Sequence, residues 1–403
     1  MPSLVALPTH PPLWSVALLA GIVGCQHSEP FDAPLPPTVT GPLTPGSPTQ
    51  LTYNPGADVY PAWAPDGSFL LYQAENPNRP DRDRCLYLLP PTGGTQLLEA
   101  CDNALHSEDS TNQFGPAALS STGRVILYEA AQPIGPGLPT TSGMYLAPAL
   151  PVSSATQVLS MPVVLPGFSV ADKLTSPQWV GDSGFLALGV STQVYIPCFL
   201  CTPDTVETGV GVVWTTLGGA PAAAPVPGTA RASSYAFVSP DTVYFTLNGD
   251  ARVLRTRIAG GPVDSVFAFP AESTDAPVGF RTASPAIARG VQVRGGVLYA
   301  VTGGRIEFHP DSGSGEIQRD WGGKLHKVTL ATGADTLVST MSGNPQTSVS
   351  YLWVHNPVLS STGSLTAEGR AVTIIAVYNL TNQFIGTDTT IPRSTDLWQY
   401  VHP

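Results

Sequence analysis

Four cysteines, Cys85, Cys101, Cys198 and Cys201, are the residues of this chain best suited to covalent chemistry. Cys198-Phe199-Leu200-Cys201 has the two-residue gap of a redox dithiol or of half a zinc site. A structural zinc site needs four ligands, and no second cysteine pair or histidine pair at ligand spacing accompanies this one. A redox dithiol sits at a helix start, whereas this pair lies in loop-like sequence. Disulfide formation is the expectation, with the local pairing Cys85–Cys101 and Cys198–Cys201 favoured among the three that four cysteines allow.

Other chemistry finds little support. No Gly-x-Ser-x-Gly elbow, His-Glu-x-x-His pair or Gly-x-x-x-x-Gly-Lys loop occurs, so a hydrolase nucleophile, a zincin helix and a phosphate cradle all lack their residues. His106, His309, His326 and His355 are scattered and would meet only if the fold converged them. They are expected to be ordinary surface or strand histidines. Asp81 and Asp83 around Arg82, the Glu108-Asp109 pair and the polar run from Asp311 to Glu316 place carboxylates in loops. Their spacing lacks the full oxygen set that Ca²⁺ takes. The expectation is therefore no catalytic residue, no metal and no cofactor.

Leu13 to Val23 form an apolar run that ends at Gly24-Cys25. Eleven residues are too few for a membrane-crossing helix, which needs about 20. They suit the apolar core of an export signal. Ile22-Val23-Gly24-Cys25 resembles a bacterial lipobox, which implies cleavage before Cys25 and lipid attachment to its sulfur. No Lys or Arg precedes the apolar run, a departure from the usual signal. Residues 1–24 are read as a lipoprotein signal peptide and 25–48 as a proline-rich tether, which reaches roughly 70 Å at about 3.1 Å per residue. Gln26 after the lipidated cysteine resembles outer-membrane sorting, so the expected location is the outer membrane, facing the periplasm. Removing Cys25 leaves an even cysteine count, as an exported disulfide protein should have.

The 403 residues carry a formal charge of -11, and only 12% are charged. Lys occurs at 173, 324 and 327 alone, so no basic run exists to displace counterions from a nucleic acid. With 40 Gly and 42 Pro, long helices are hard to place, yet 42% apolar content argues for packed cores. Many short strands fit both facts.

Those strands recur. Phe69-Leu70-Leu71-Tyr72 returns as Val125–Tyr128, Phe185–Leu188, Val243–Thr246, Val297–Ala300 and Val372–Ile375, at intervals of 54 to 75 residues. Each run suits a strand buried on both faces. Turns precede them: Pro65-Asp66-Gly67, Ser120–Gly123, Gly181–Gly184, Ser239–Asp241 and Ser360–Gly363, with a poor copy at Arg294-Gly295-Gly296. Asp caps such a turn and Gly accepts its positive φ. A third strand follows in each unit, from Cys85–Leu88 to Leu397–Tyr400, then in most units a Gly-rich turn and an outer strand. The last unit lacks its outer strand, and Thr49–Thr52 is one to spare at the start. Pairing the two closes a ring and removes two open edges. The fold expected for residues 49–403 is all-β: a six-bladed propeller of four-stranded antiparallel blades, closed by an N-terminal strand on the last blade.

Tyr60-Pro61-Ala62-Trp63-Ala64-Pro65-Asp66-Gly67 resembles the signature of the TolB-type propeller, a WD40-like repeat (PD40), with Ala64 in place of Ser. Ser176-Pro177-Gln178-Trp179-Val180-Gly181-Asp182-Ser183-Gly184 is a second, imperfect copy. The resemblance makes Pro61, Trp63, Pro65, Asp66, Gly67, Trp179, Asp182 and Gly184 structural motif residues, with both tryptophans packed between blades. It implies a rigid periplasmic scaffold that binds proteins or ligands at one face. The separate N-terminal domain of TolB has no counterpart here.

Two readings of function follow. The first is an envelope-anchored, non-catalytic scaffold for an envelope protein or small ligand, held to the membrane by its lipid. Its recognition loops would be the insertions Ala131–Gly143, Thr192–Gly209, Arg305–Gly322 and Asn379–Ser394. The second is a propeller enzyme, of lactonase or sugar-oxidising type, with a metal or cofactor at the central channel.

Overall fold

The computed structural model describes residues 48–53, 56–75, 84–94, 96–100, 110–133, 141–167, 169–195, 204–270, 274–275, 280–308, 317–339, 342–344, 348–378, 384–390 and 395–401. The lipobox Cys25, expected as the lipidation site, and three disulfide candidates, Cys101, Cys198 and Cys201, lie outside them, as do His106, His309 and the carboxylates around Asp81, Glu108 and Asp311.

Every element among the described residues is a strand, and the strands form six blades around a channel. β1 (Thr49–Gln50) comes first in the chain. From the channel outward, blade 1 is β2 (Val59–Trp63), β3 (Leu70–Glu75), β4 (Arg84–Leu89) and β5 (Leu97–Ala100). Blade 2 is β6 (Ser110–Leu119), β7 (Val125–Pro133), β8 (Thr141–Ala147) and β9 (Thr156–Ser160). A small hairpin of β10 (Val163–Val164) and β11 (Val170–Ala171) leads on. Blade 3 is β12 (Lys173–Val180), β13 (Gly184–Tyr195), β14 (Asp204–Thr216) and β15 (Ala222–Pro225). Blade 4 is β16 (Ala232–Val238), β17 (Thr242–Leu247), β18 (Arg252–Arg257) and β19 (Asp264–Ala268).

In blade 5 a short β20 (Thr274–Asp275) precedes β21 (Phe280–Arg294), β22 (Val297–Phe308), β23 (Ile317–Thr329) and β24 (Ala334–Ser339). Blade 6 holds β25 (Ser342–Asn344), β26 (Ser348–Leu359), β27 (Leu365–Tyr378), β28 (Phe384–Thr390) and β29 (Asp396–Val401). Its outer strand is β1, antiparallel to β29 with Thr49 opposite Gln399 and Gln50 opposite Trp398. Leu51 then donates its N–H to the Leu397 carbonyl at 2.7 Å, and Thr52 Oγ1 accepts from Leu397 N at 2.9 Å. The ring is therefore closed by the two ends of the propeller, as the spare N-terminal strand requires.

The second strand of each blade shows why these sequences pack this way. Alternate residues of β3 face opposite seams: Leu71 joins Leu127 and Val125 between blades 1 and 2, while Leu70 and Tyr72 join Leu51 and Leu397 between blades 6 and 1. The same division repeats around the ring, with Ile126 and Leu127, Phe185 and Leu186, Tyr244 and Phe245, and Leu298 and Tyr299 each split between two clusters. A continuous apolar run is the pattern a strand needs when both faces are covered. Each fully buried leucine there contributes about 1.5–3 kcal/mol.

Two details correct the sequence reading. The sixth marker strand starts at Leu365, directly after its turn, and Leu365 and Ala367 are the core residues. Val372–Ile375 is the upper continuation of the same strand, paired with β28, so its interval of 75 residues overstated the repeat. The poorest turn copy is the tightest hairpin: Gly295 and Gly296, at φ 56° and 78°, join Arg294 directly to Val297. Two consecutive positive φ values are what a two-residue hairpin loop demands, and glycine supplies both without steric cost.

Candidate functional site

The inner strands β2, β6, β12, β16, β21 and β26 line the channel, a cavity of about 470 Å³. Its mouth, where these strands begin, opens into a second space of about 400 Å³ lined by Tyr60, Thr175, Ser176, Ser233, Asn248, Asn356 and Glu207, with Leu188 and Val190 also on its wall.

The backbone around this mouth is irregular for a reason visible in the residue types. Strand register slips between Val59 and Ala62, Phe114 and Ala117, Thr175 and Gln178, Ala283 and Ile287, and His355 and Val358. Each slip contains an X-Pro pair: Tyr60-Pro61, Gly115-Pro116, Ser176-Pro177, Ser284-Pro285 and Asn356-Pro357. Proline has no N–H for the ladder, so a bulge is where an inner strand tolerates it. Blade 4 slips at Ser233 without one. Three residues before these prolines take positive φ: Tyr60 at 55°, Ser176 at 51° and Asn356 at 41°. Such backbone costs of order 1–3 kcal/mol per residue and persists only where neighbours hold it.

Those neighbours are identifiable. Glu368 on β27 is buried, and its Oε1 accepts the Tyr60 N–H at 2.6 Å and the Asn356 side-chain amide at 2.9 Å. One carboxylate therefore holds the bulges of blades 1 and 6. Tyr235 on β16 holds blade 3: its hydroxyl lies 2.6 Å from the Ser176 carbonyl and 2.8 Å from the Leu186 carbonyl. Burial pushes the Tyr235 phenol well above its ordinary pKa. Replacing Tyr235 with Phe should cost about 1–3 kcal/mol, since the buried Leu186 carbonyl loses the hydroxyl beside it. The loss is to be read from the urea unfolding midpoint.

Lys173 sits behind two mouth residues, Tyr60 and Glu207. Its Nζ donates to the Tyr60 hydroxyl at 3.0 Å, lies 5.2 Å from the Tyr60 ring centre, and stands 3.5 Å from Glu207 Oε1. Burial works against the ammonium, but Tyr60 and Glu207 together outweigh it and raise the lysine pKa. The pair leaves this part of the mouth close to charge-balanced.

Apart from Pro61, the residues singled out from the repeat lie toward the other end of these strands or in the turns beyond it. Pro65, Asp66 and Gly67 form the turn after β2, where Asp66 Oδ1 accepts the Ser68 N–H at 2.9 Å and the Ser68 hydroxyl at 2.6 Å. Those two bonds lower the Asp66 pKa. Gly67 has φ 76°, and a Cβ there would stand 3.1 Å from Thr362 of blade 6. Asp182 bridges blades rather than capping its own turn, accepting from Thr122 at 3.0 Å and from Arg124 at 3.3 Å. Gly184 starts β13 so close to β14 that a Cβ would meet the Thr215 carbonyl at 2.2 Å. Trp179 packs over blade 2, donating to the Ala118 carbonyl at 2.9 Å under the Arg124 guanidinium at 4.9 Å. Trp63 packs in the seam between blades 6 and 1, and Pro61 is buried in its bulge. Cys85, on β4, is fully buried in that seam.

The four expected insertions all connect second strands to later strands on the mouth side. Much of their length is regular ladder rather than loop. β13 and β14 continue pairing from Val190–Gly209 out to Tyr195–Asp204, and β22 and β23 from Gly303–Gly322 out to Phe308–Ile317. β20, β25 and β28 add short pairings on the same side. The mouth is thus flanked by the extended pairings of blades 3, 5 and 6, while blade 4 meets it with the short turn at Asn248-Gly249.

His326 does not reach the channel. Its Nε2 lies 2.9 Å from Thr302 Oγ1 and its Nδ1 2.9 Å from Asp335 Oδ2. Hydroxyl, imidazole and carboxylate stand in the order of a nucleophilic triad. However, Thr302 and His326 are each only 3% exposed, with the Phe269 ring 4.7 Å from the imidazole. The set ties β22, β23 and β24 together in a packed seam. Among the described residues, no group of three or more His, Cys, Asp or Glu is placed to hold a metal ion.

No family model matches the chain, and no curated protein matches it in sequence. Solved structures share its form at a distance. Regucalcin, a calcium-binding protein from Agrobacterium tumefaciens, is 12% identical over 90% of this chain and 95% of its own, with a TM-score of 0.43. Virginiamycin B lyase from Staphylococcus aureus is 10% identical over 88% and 99%, at 0.38. The PQQ-bound aldose sugar dehydrogenase of Streptomyces coelicolor is 12% identical over 89% and 100%, also at 0.38. At that distance the likenesses carry no functional argument, and the propeller rests on this chain's own sheet topology.

Proposed function

We propose that this chain is a TolB-type propeller lipoprotein, anchored through Cys25 in the bacterial outer membrane, that acts as a non-catalytic binding scaffold. Recognition takes place at the channel mouth bearing Tyr60 and Glu207. One observation carries the choice of face: tall hairpins flank a polar mouth whose strained backbone is held in place by buried Glu368 and Tyr235. Rigid elements that present polar groups before a ligand arrives lower the ordering cost of binding. Strain held by its surroundings concentrates at functional sites. Export fits an even cysteine count after Cys25, with buried Cys85 as one disulfide partner.

A photo-crosslinking amino acid at Glu207, on the mouth side, should give one dominant adduct in native envelopes, read by mass spectrometry. The same probe at Asp241, in the short turn after β16, should give none. Adducts from Asp241 alone would move the binding surface to the opposite face. Cys25→Ala should shift the protein from the membrane to the soluble fraction, and retention in the membrane would sink the lipid anchor.

A further inference from the structure

We propose that the mouth takes a neutral, hydroxyl-rich ligand of saccharide size, an inference that rests on the mouth being the recognition site.

Charge is the first argument. Lys173 is matched by Glu207 at 3.5 Å, the ion pair beside this space. A strongly anionic ligand would meet the Glu207 carboxylate, and a cationic one would compete with Lys173 for it. Neither finds an uncompensated partner of opposite sign among these groups, and an unpaired charge entering such a site is penalised. The second argument is the lining. Thr175, Ser176, Ser233, Asn248 and Asn356 supply hydroxyls and amides, groups that both donate and accept. A ligand whose own groups do the same, such as a ring with adjacent hydroxyls, is the complement of that set. Third, the wall is amphipathic. Leu188 and Val190 are buried beside these polar groups, and the Tyr60 ring stands among them. A sugar presents C–H surface as well as hydroxyls, so it uses both kinds of wall at once. Last, the space of about 400 Å³ falls within the roughly 300–1,000 Å³ of small-molecule sites.

Two side chains should govern the contact. Tyr60 lines the space, and the Lys173 ammonium donates to its hydroxyl at 3.0 Å, so Tyr60 would meet the ligand and Lys173 would position the Tyr60 hydroxyl. Tyr60→Phe keeps the ring and removes the hydroxyl. Lys173→Met keeps most of the stem and removes the charge.

Saturation-transfer NMR on the soluble Cys25→Ala chain tests this with glucose, galactose, N-acetylglucosamine and cellobiose, each beside a charged relative, glucuronate or glucosamine. At least one neutral sugar should bind at least tenfold more tightly than its charged relative, and Tyr60→Phe or Lys173→Met should weaken it at least fivefold with the unfolding midpoint kept. Tighter binding of glucuronate or glucosamine would overturn the neutral class. Binding indifferent to both substitutions would overturn the mouth as the saccharide site. Binding of none of these sugars would overturn the saccharide inference, and a surviving crosslink at Glu207 would show that the recognition face itself still stands.

Discussion

Replacing Glu368 with alanine should destabilise the protein by about 3–5 kcal/mol and abolish binding at the mouth. The carboxylate accepts from the Tyr60 backbone at 2.6 Å and from the Asn356 amide at 2.9 Å, 308 and 12 residues away in sequence. A hydrogen bond to a charged group contributes about 1.5–3 kcal/mol, so the two bonds together account for the loss, although the exposed Asn356 amide can turn to water once freed. Here the donor on each side belongs to a residue with positive φ. With Glu368 gone, both bulges can relax and the mouth loses its shape. Glu368→Gln keeps one oxygen acceptor and should lose much less. Urea unfolding of the two variants checks the stability claim, and equal losses in both would show that charge, not bridging geometry, matters.

Replacing Glu129 with glutamine should do the opposite, raising stability by roughly 3–5 kcal/mol above pH 8 while changing little near pH 4. Glu129 is 1% exposed on β7, and burial raises its pKa to about 8. By strand alternation it shares the seam face of Val125 and Leu127, toward blade 1. Gln73 and Arg84 share that face of blade 1. The amide of Gln73 and Nη1 of Arg84 are buried there without hydrogen-bond partners among the described residues. Below about pH 4.5 the carboxyl is protonated in both folded and unfolded chains. Between there and about 8 the unfolded chain releases a proton that the folded chain keeps, so stability falls as pH rises, by about 1.4 kcal/mol per unit. Glutamine is neutral throughout and removes that slope. Asp396, raised to about 6 by burial, adds a smaller fall of the same sign at lower pH. The difference between the wild-type and Glu129→Gln melting curves across pH 4–9 isolates Glu129, and parallel curves would rule it out as the titrating group.

The blades were legible because their cause is local. A strand covered on both faces must be apolar at every position, and Phe69–Tyr72, Val125–Tyr128 and Phe185–Leu188 announce it without reference to anything distant. The spare strand at Thr49 and the missing one after Tyr400 announced the closure, because an open edge has to be paired. The Pro-Asp-Gly turn was equally readable, since Asp66 caps and Gly67 turns within four residues.

The candidate site was not legible in that way. The repeat motif drew attention to Trp63, Asp66 and Asp182, which stabilise one face, while the polar mouth lies at the other end of the same strands. A signal was present: five X-Pro pairs within the inner strands mark the bulges that shape the mouth. What those bulges surround could not be read from the chain. Tyr60 and Lys173 are 113 residues apart and Tyr60 and Glu368 308. The hairpins also read as loops, because pairing such as Thr192 with Glu207 depends on a partner across the turn. By itself the sequence determined the number of blades, their order and the way the ring closes, because burial on both faces and unpaired edges constrain each strand where it stands. Only the tertiary structure decided which face is built for recognition, because convergence of six inner strands brings distant single residues to one mouth, and no local pattern records a meeting between blades.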